Sequence, residues 1–354
     1  MLKTYQRILI ESLFFSALIA LPAHADTKPT FKIAWSIYAG WMPWDYAQKS
    51  GILKKWADKY GININLVQVN DYIESVNQYT SGGFDGCTMT NMDALTIPAA
   101  GGVDSTAVIV GDYSNGNDGI LLKNGSDVKA LKGQSVNLVQ LSVSEYLLAR
   151  ALEQSGMTEK DIHVVNTDDA DLVSAYGTPA VKSIVTWNPL LAQAKQQPGS
   201  HEIFSSAQIP GEILDLMVVN SNTVKAHPEL GKALTGAWYE TLKVIQGNTD
   251  DAIKARTYMA QESGTTLQGF DAQLADTYLF STPAQTLQFV DGPQIQTTMK
   301  SVAEFSFQHG LLGPGAPDAS AIGITTPAGN WGNASNLKLH FTDEFVKLAA
   351  ENKL

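Results

Sequence analysis

The sequence predicts an α/β chain of two lobes that meet at a cleft, with a helical C-terminal region. Three observations predict it. Short apolar strands alternate with helical patterns up to Val219; an Asn/Gly-rich stretch, Asp112 to Gly119, divides that alternation into two sets; and from Ala226 through Gln308 the pattern is almost wholly helical. Apolar strands of this length between helices read as parallel βαβ units.

The elements follow in order. Phe31 to Ser36 is an apolar strand, then a Gly-Trp-Met-Pro turn opens a helix running toward Tyr60, Pro43 suiting its first turn. Ile62 to Val69 is the second strand, and Tyr72, Val76 and Tyr79 fall on one face of the next helix. Gly86 to Thr90 is the third strand, Asp93 to Ala100 a helix, and Thr106 to Val110 the fourth strand. The second set comprises strands at Gly119 to Leu122, Ser135 to Leu138, His163 to Val165 and Lys182 to Thr186. Its helices are Ser142 to Gln154, Ala170 to Tyr176 and one after Pro189. Ser142 with Glu145 three residues on reads as a capping box. Asp112 to Gly119 and Leu214 to Asn220 are expected to be the two crossings. The lobes are then residues 26–112 with 216–354, and residues 113–215.

Residues 1–25 stand apart. Lys3 and Arg7, an apolar run from Leu13 to Leu21, Pro22 and the small-x-small end Ala23-His24-Ala25 read as a secretory signal peptide cleaved after Ala25. The run is too short for a membrane span. Lys3 and Arg7 leave with Glu11, which takes the formal charge from −11 to −12. With 35 acids against 24 bases, the chain is a poor partner for a phosphate backbone, and 44% apolar residues argue against disorder. Cys87 is the single cysteine, so no intrachain disulfide can form, and it reads as a small buried thiol. An exported periplasmic protein, monomeric and without cofactor, is the expectation.

The proposed strand ends carry the site chemistry. They offer Trp41 and Trp44, then Thr90, Asn91 and Asp93, then Asp112; the second set offers Ser142, Trp187 and Asn188, and the return crossing Asp215. Tyr38, Ser144 and Glu212 lie at the same ends, and those loops contain no Arg or Lys. Carboxylates lining an anion site would be electrostatically perverse. A flat, donor-only cation such as guanidinium wants carboxylates, neutral acceptors and an aromatic face, the last contributing roughly 2 kcal/mol when desolvated. Urea has similar donors but needs a donor for its oxygen, Asn188 or a backbone N–H. Each residue also has a plainer reading. One of Trp41 and Trp44 can pack under its turn, Asp93 can serve a helix first turn, Ser142 can be a cap, and Asp112 and Asp118 can be turn formers.

Three segments carry a family resemblance: Trp35-Ser36-Ile37-Tyr38-Ala39-Gly40-Trp41-Met42-Pro43-Trp44, Phe84 to Leu95, and Val185-Thr186-Trp187-Asn188-Pro189-Leu190-Leu191. With the order of units, they resemble the nitrate/sulfonate/taurine class of ABC-transporter substrate-binding proteins. More narrowly, they are similar to the component encoded beside urea-carboxylase-type enzymes. The resemblance implies a two-lobed periplasmic-binding-protein clamshell (type II-like), hinge closure on a small nitrogen-rich ligand, and docking on a permease with its ATPase. Guanidinium, urea and nitrate or taurine stay open as ligands.

Enzyme readings lack motifs. The five histidines after the leader are widely spaced, and no dinucleotide fingerprint, phosphate loop or Gly-x-Ser-x-Gly elbow occurs. A thiamin-pyrimidine-synthase-like enzyme shares the fold, but its Cys-rich and His-bearing features are missing. No catalytic residue and no metal ligand are expected.

Overall fold

The computed structural model describes residues 28–354. The signal peptide read over residues 1–25 lies outside the described residues. The chain opens with β1 (Thr30–Trp35), α1 (Met42–Lys49), α2 (Ile52–Lys59), β2 (Asn63–Gln68), α3 (Tyr72–Thr80), β3 (Gly86–Thr90), α4 (Asn91–Ala94) and β4 (Ser105–Ser114). The helix expected to run on to Tyr60 is broken in two at Gly51, whose φ of 82° only glycine adopts without strain. Asp71 caps α3 by accepting from the Glu74 N–H.

A second unit follows: β5 (Asp118–Lys123), β6 (Ser135–Leu138), α5 (Val143–Gln154), β7 (His163–Asn166), α6 (Asp169–Tyr176), β8 (Ser183–Trp187), α7 (Leu190–Lys195) and β9 (Ser200–Ser205). The chain then returns through β10 (Leu214–Asn220) to α8 (Ser221–Ala226), α9 (Pro228–Ile245), α10 (Asp250–Glu262), α11 (Leu267–Ala275) and β11 (Thr277–Leu279). It ends with α12 (Pro283–Val290), α13 (Gln294–Gln308), β12 (Gly323–Thr326), β13 (Gly329–Trp331), β14 (Leu337–Phe341) and α14 (Glu344–Ala350).

Two sheets result. The larger runs β13-β12-β14-β4-β10-β3-β1-β2, with β11 paired to β4; the smaller runs β7-β6-β8-β5-β9. β1 pairs in parallel with β2 and β3, and β6 with β7 and β8, as βαβ units require. In the larger sheet β10 runs antiparallel between β3 and β4, and in the smaller β5 runs antiparallel between β8 and β9. These are the strands that enter a sheet directly after a crossing. The smaller sheet is thus inserted into the larger unit through residues 115–117 and 206–213.

The return crossing expected over Leu214 to Asn220 lies just before it, in residues 206–213, and Leu214 to Asn220 is β10, in line with the strand that its apolar run suggests. All but its last residue are buried, and it forms a central strand of the larger sheet. β4 also runs further than the expected Val110, which puts Asp112 in a strand rather than a turn. The C-terminal region is mostly helical, yet β12, β13 and β14 extend the larger sheet beyond β4. The Gly, Thr and Asn content of β12 and β13 gives little alternation to read, whereas β14 alternates apolar and polar residues over only five positions.

Candidate functional site

A small cavity of about 30 Å³ lies where the two units meet. Ser36, Ile37, Tyr38, Trp41, Tyr72, Thr90, Ile213 and Asp215 line it from the larger unit and the return segment; Asp118, Val143 and Trp187 line it from the smaller unit. Register explains the convergence. Asp112, Asp215 and Thr90 sit side by side on β4, β10 and β3 of the larger sheet. Across the cavity, Asp118 on β5 pairs with Trp187 on β8.

The turn after β1 is held over Asp112. Trp41 and Met42 both donate their N–H to the Tyr38 carbonyl, at 2.9 and 3.1 Å. A side chain at Gly40 would meet the Asp112 carboxylate at 2.7 Å, so glycine lets the turn close on the acid. The turn presents Tyr38 and Trp41, which meet edge to face at 5.2 Å. Trp41 lies 5.5 Å from Tyr72, and Tyr72 lies 6.1 Å edge-on to Trp187. The Tyr38 hydroxyl and the Trp41 indole N–H are sealed from solvent without a hydrogen-bond partner.

Asp93 fixes the next pair. Its carboxylate accepts from the Tyr72 hydroxyl at 2.5 Å and the Thr90 hydroxyl at 2.8 Å, and the Thr90 N–H donates to Tyr72 at 3.0 Å. Its second oxygen is buried and unpartnered, as are both oxygens of Asp112. Asp118 accepts from the Ser114 hydroxyl, which also contacts Ser206 at 2.7 Å. Burial dominates the protonation of all four acids. It pushes Asp93 and Asp118 up to about 6 and Asp112 up to about 7. Asp215 is pushed well above its usual range by burial, then by the Asp112 charge, and Tyr38 rises for the same kinds of reason. The lining contains no Lys, Arg or His.

The residues expected from the sequence divide in two. Trp41, Thr90, Trp187 and Asp215 line the cavity, with Asp93 and Asp112 buried behind them. Trp44, Asn91, Ser142 and Asn188 stand outside the lining. Trp44 stacks on Trp238 at 5.0 Å. Asn91 accepts from the Leu214 N–H and donates to the Glu212 carbonyl, clamping the return segment to β3. Ser142 caps α5 by accepting from the Ser144 N–H, and donates to the Val139 carbonyl. Asn188 donates to Asn117 and accepts from the Ala192 N–H. Glu212 is taken by Arg150 and Tyr146, away from the cavity.

Tyr38, placed at the same strand ends by the sequence, also lines the cavity, and Ser36, Ile37, Tyr72, Asp118, Val143 and Ile213 complete the lining beyond the expected residues. A signal for Asp118 existed. It opens an apolar strand directly after a crossing, as Asp215 does after the return.

The comparisons agree with this architecture. The alkanesulfonate-binding protein of Xanthomonas axonopodis pv. citri, bound to MOPS, is similar in structure with a TM-score of 0.65 at 16% identity, over 81% of this chain and 96% of that one. A Bordetella bronchiseptica protein gives a TM-score of 0.67 at 16% identity, over 92% and 98%. The periplasmic nitrate-binding protein of Synechocystis gives 0.65 at 15%, over 92% and 89%. The fold is that of the periplasmic binding proteins. In sequence, a Brucella abortus chain named as a binding protein is 24% identical over 164 residues, 45% of this chain and 50% of that one. This chain spans about half the length of the curated relatives it matches. The family model described as NMT1-like matches residues 36–260, more than half of the sequence, and the chain belongs to the NMT1-like family.

Proposed function

We propose that the chain is the periplasmic substrate-binding component of an ABC importer, closing its two lobes on guanidinium or a closely related small cation and docking on a permease driven by an ATPase. One observation carries the ligand reading: Asp118 and Asp215 face a cavity from opposite units, backed by Asp112 and Asp93, with no cationic side chain in the lining. Burying carboxylates without a partner is unfavourable, so the site favours a ligand that brings positive charge. Trp41, Tyr72 and Trp187 supply faces and edges for a flat cation. At about 30 Å³ the cavity holds roughly two waters, a size that suits a small ligand. A ligand touching both units stabilises the closed arrangement by its differential affinity, and closure is what a permease would read. The relatives named for binding, sulfonate and nitrate support the receptor part of this reading.

A second reading has its own observation. Val143, the first residue of the 12-residue α5, reaches the cavity, and a helix N-terminus receives anionic groups. A zwitterion of the taurine kind would set its amine on the acids and its anion there. Urea would use the unpartnered Trp41 N–H for its oxygen.

Calorimetry and thermal shift with guanidinium, methylguanidine, urea, nitrate and taurine separate these. The cation reading expects stabilisation growing as RT ln(1 + [L]/Kd) with guanidinium and none with nitrate. Stabilisation by nitrate or taurine alone would sink it.

A further inference from the structure

Away from the cavity, Glu145, Glu159 and His309 are the one group of three His, Cys, Asp or Glu side chains among the described residues whose ligand atoms all lie within 4.8 Å of one another. They come from both sides of the boundary between the units. Glu145 is in the first turn of α5, Glu159 opens the short 3₁₀ turn Glu159–Asp161, and His309 caps the C-terminus of α13. That helix packs on α4 of the larger unit.

We propose that these three side chains form a binding site for a divalent transition-metal ion, of which zinc is the natural probe, and that the ion clips α13 to the smaller-sheet unit. The donor set of one imidazole and two carboxylates is one that zinc accepts, with a further position left to water. The imidazole is oriented for it. His309 Nδ1 lies 2.9 Å from the Phe305 carbonyl, and the ring stacks on Phe305 at 4.0 Å between centroids. Donating Nδ1–H to a backbone carbonyl fixes the ring and aims Nε2 into the cluster, the arrangement that holds a metal-binding histidine in register. Without metal, Nε2–H pairs with Glu159 Oε2 at 2.5 Å, and a bound ion would take the place of that proton.

The carboxylates are short of positive charge. Glu159 Oε1 is buried without a partner, and Glu145 is 3% exposed with a backbone N–H from Leu141 on one oxygen. Two acids face one histidine. Arg150 lines the same groove, but its guanidinium is bidentate on Glu212 and also pairs with Glu153. The geometry needs only small shifts. Tetrahedral zinc with bonds near 2.1 Å sets its ligand atoms about 3.3 Å apart, so the His309–Glu159 contact opens slightly and the wider pairs draw in. An entry path exists in the groove of about 410 Å³ lined by Tyr146, Glu159, Phe305 and His309. Because the ligands span the two units, the bound ion favours whichever lobe arrangement brings them together.

The test uses the full mature chain, stripped with a chelator, then titrated with zinc chloride by calorimetry and thermal shift, with magnesium as the hard-cation control. One zinc per chain, a raised Tm and no response to magnesium are expected. His309→Gln and Glu159→Gln should each weaken zinc binding at least tenfold while circular dichroism stays native. Cobalt in place of zinc gives a visible spectrum, which His309→Gln should alter. Should His309→Gln fail to fold, Glu159→Gln, in a half-buried turn at the surface, and the cobalt spectrum of the wild type decide. No uptake of zinc, or uptake unchanged in a folded Glu159→Gln variant, would overturn the site.

Discussion

The acids around the cavity and Glu212, in the seam between α5 and the return segment, are both screened from water to different degrees, yet they are partnered in opposite ways. Glu212 in the seam receives two guanidinium hydrogen bonds from Arg150, at 2.9 and 3.0 Å, with the Tyr146 hydroxyl beside them. At the cavity Asp118 has a hydroxyl opposite it, and Asp112 and Asp215 stand against each other with no cation beside them. A buried charge that the chain itself neutralises is structural; one that it leaves without a counter-charge is kept at a cost to stability. The difference from Glu212 marks the cavity as a place where charge must come from outside.

The largest expected effect breaks the cavity side. Asp215→Asn removes a charge next to the ligand but keeps the shape, and should weaken guanidinium binding by about 2–5 kcal/mol, or roughly 30-fold to several-thousandfold. The same variant should raise the Tm of the ligand-free protein at pH 8, since it relieves a buried like-charge pair with Asp112. Calorimetry and thermal melts measure both. A loss of affinity accompanied by a loss of ligand-free stability at pH 8 would make Asp215 structural.

The second test is the pH dependence, whose sign is unusual. Folded, Asp93 and Asp118 hold their protons up to about pH 6 and Asp112 up to about 7. Unfolded, all three release them near pH 4. Between those values folding takes up protons, so the stability from these acids is full below about pH 4 and lost as pH rises toward 7. At about 1.4 kcal/mol per pKa unit, each acid contributes at most roughly 3–4 kcal/mol to this fall. Bound guanidinium reverses the trend by holding the carboxylates ionised, so the gap in Tm between bound and free protein should widen from pH 5 to pH 8. A gap that narrows would exclude ionised carboxylates as the ligand's partners.

Arg150→Ala sharpens the contrast from the seam side. It leaves Glu212 half-buried and unpaired, and should destabilise the protein by about 1–3 kcal/mol at neutral pH. That sign is opposite to Asp215→Asn. Denaturant melts of both variants at one pH decide whether the two sets of acids differ as described.

Much of this was legible in the residues and some was not. The alternation of strands and helices placed β1 to β8 within a few residues, because apolar runs and helix caps act locally. The apolar run from Leu214 to Val219 reads as a strand, but its antiparallel place between β3 and β4 is not legible, since those neighbours are distant in sequence. Asp215 was readable as an acid opening an apolar strand, and Asp118 has the same signature but sits in an Asn/Gly loop that suggests a turn. Tyr72 begins a helix, and only the tertiary contact with Asp93 aims it at the cavity. Asn91, Ser142 and Asn188 sit at the expected strand and helix ends. Their amides and hydroxyl are consumed by backbone groups, and such partners are invisible without coordinates.

The smallest effect concerns the tryptophans. Trp44 and Trp41 are three residues apart on one turn, and no local pattern says which faces ligand. Trp41 lines the cavity; Trp44 is 2% exposed and stacked on Trp238, which in turn lies against Gly111, where a Cβ would meet its ring at 2.9 Å. Trp44 thus reaches Asp112 only through a packed chain of neighbours, one residue removed. Trp44→Phe keeps an aromatic face on Trp238 but loses ring area, so it should lower stability by about 1–2 kcal/mol. Affinity for guanidinium should change by less than about threefold, because rigid packing relaxes around the lost ring before it moves a strand. The same change at Trp187, which faces the cavity, should instead reduce affinity with little effect on the melt. If Trp44→Phe lowered affinity tenfold with an unchanged Tm, the division between lining and supporting tryptophans would have to be drawn the other way.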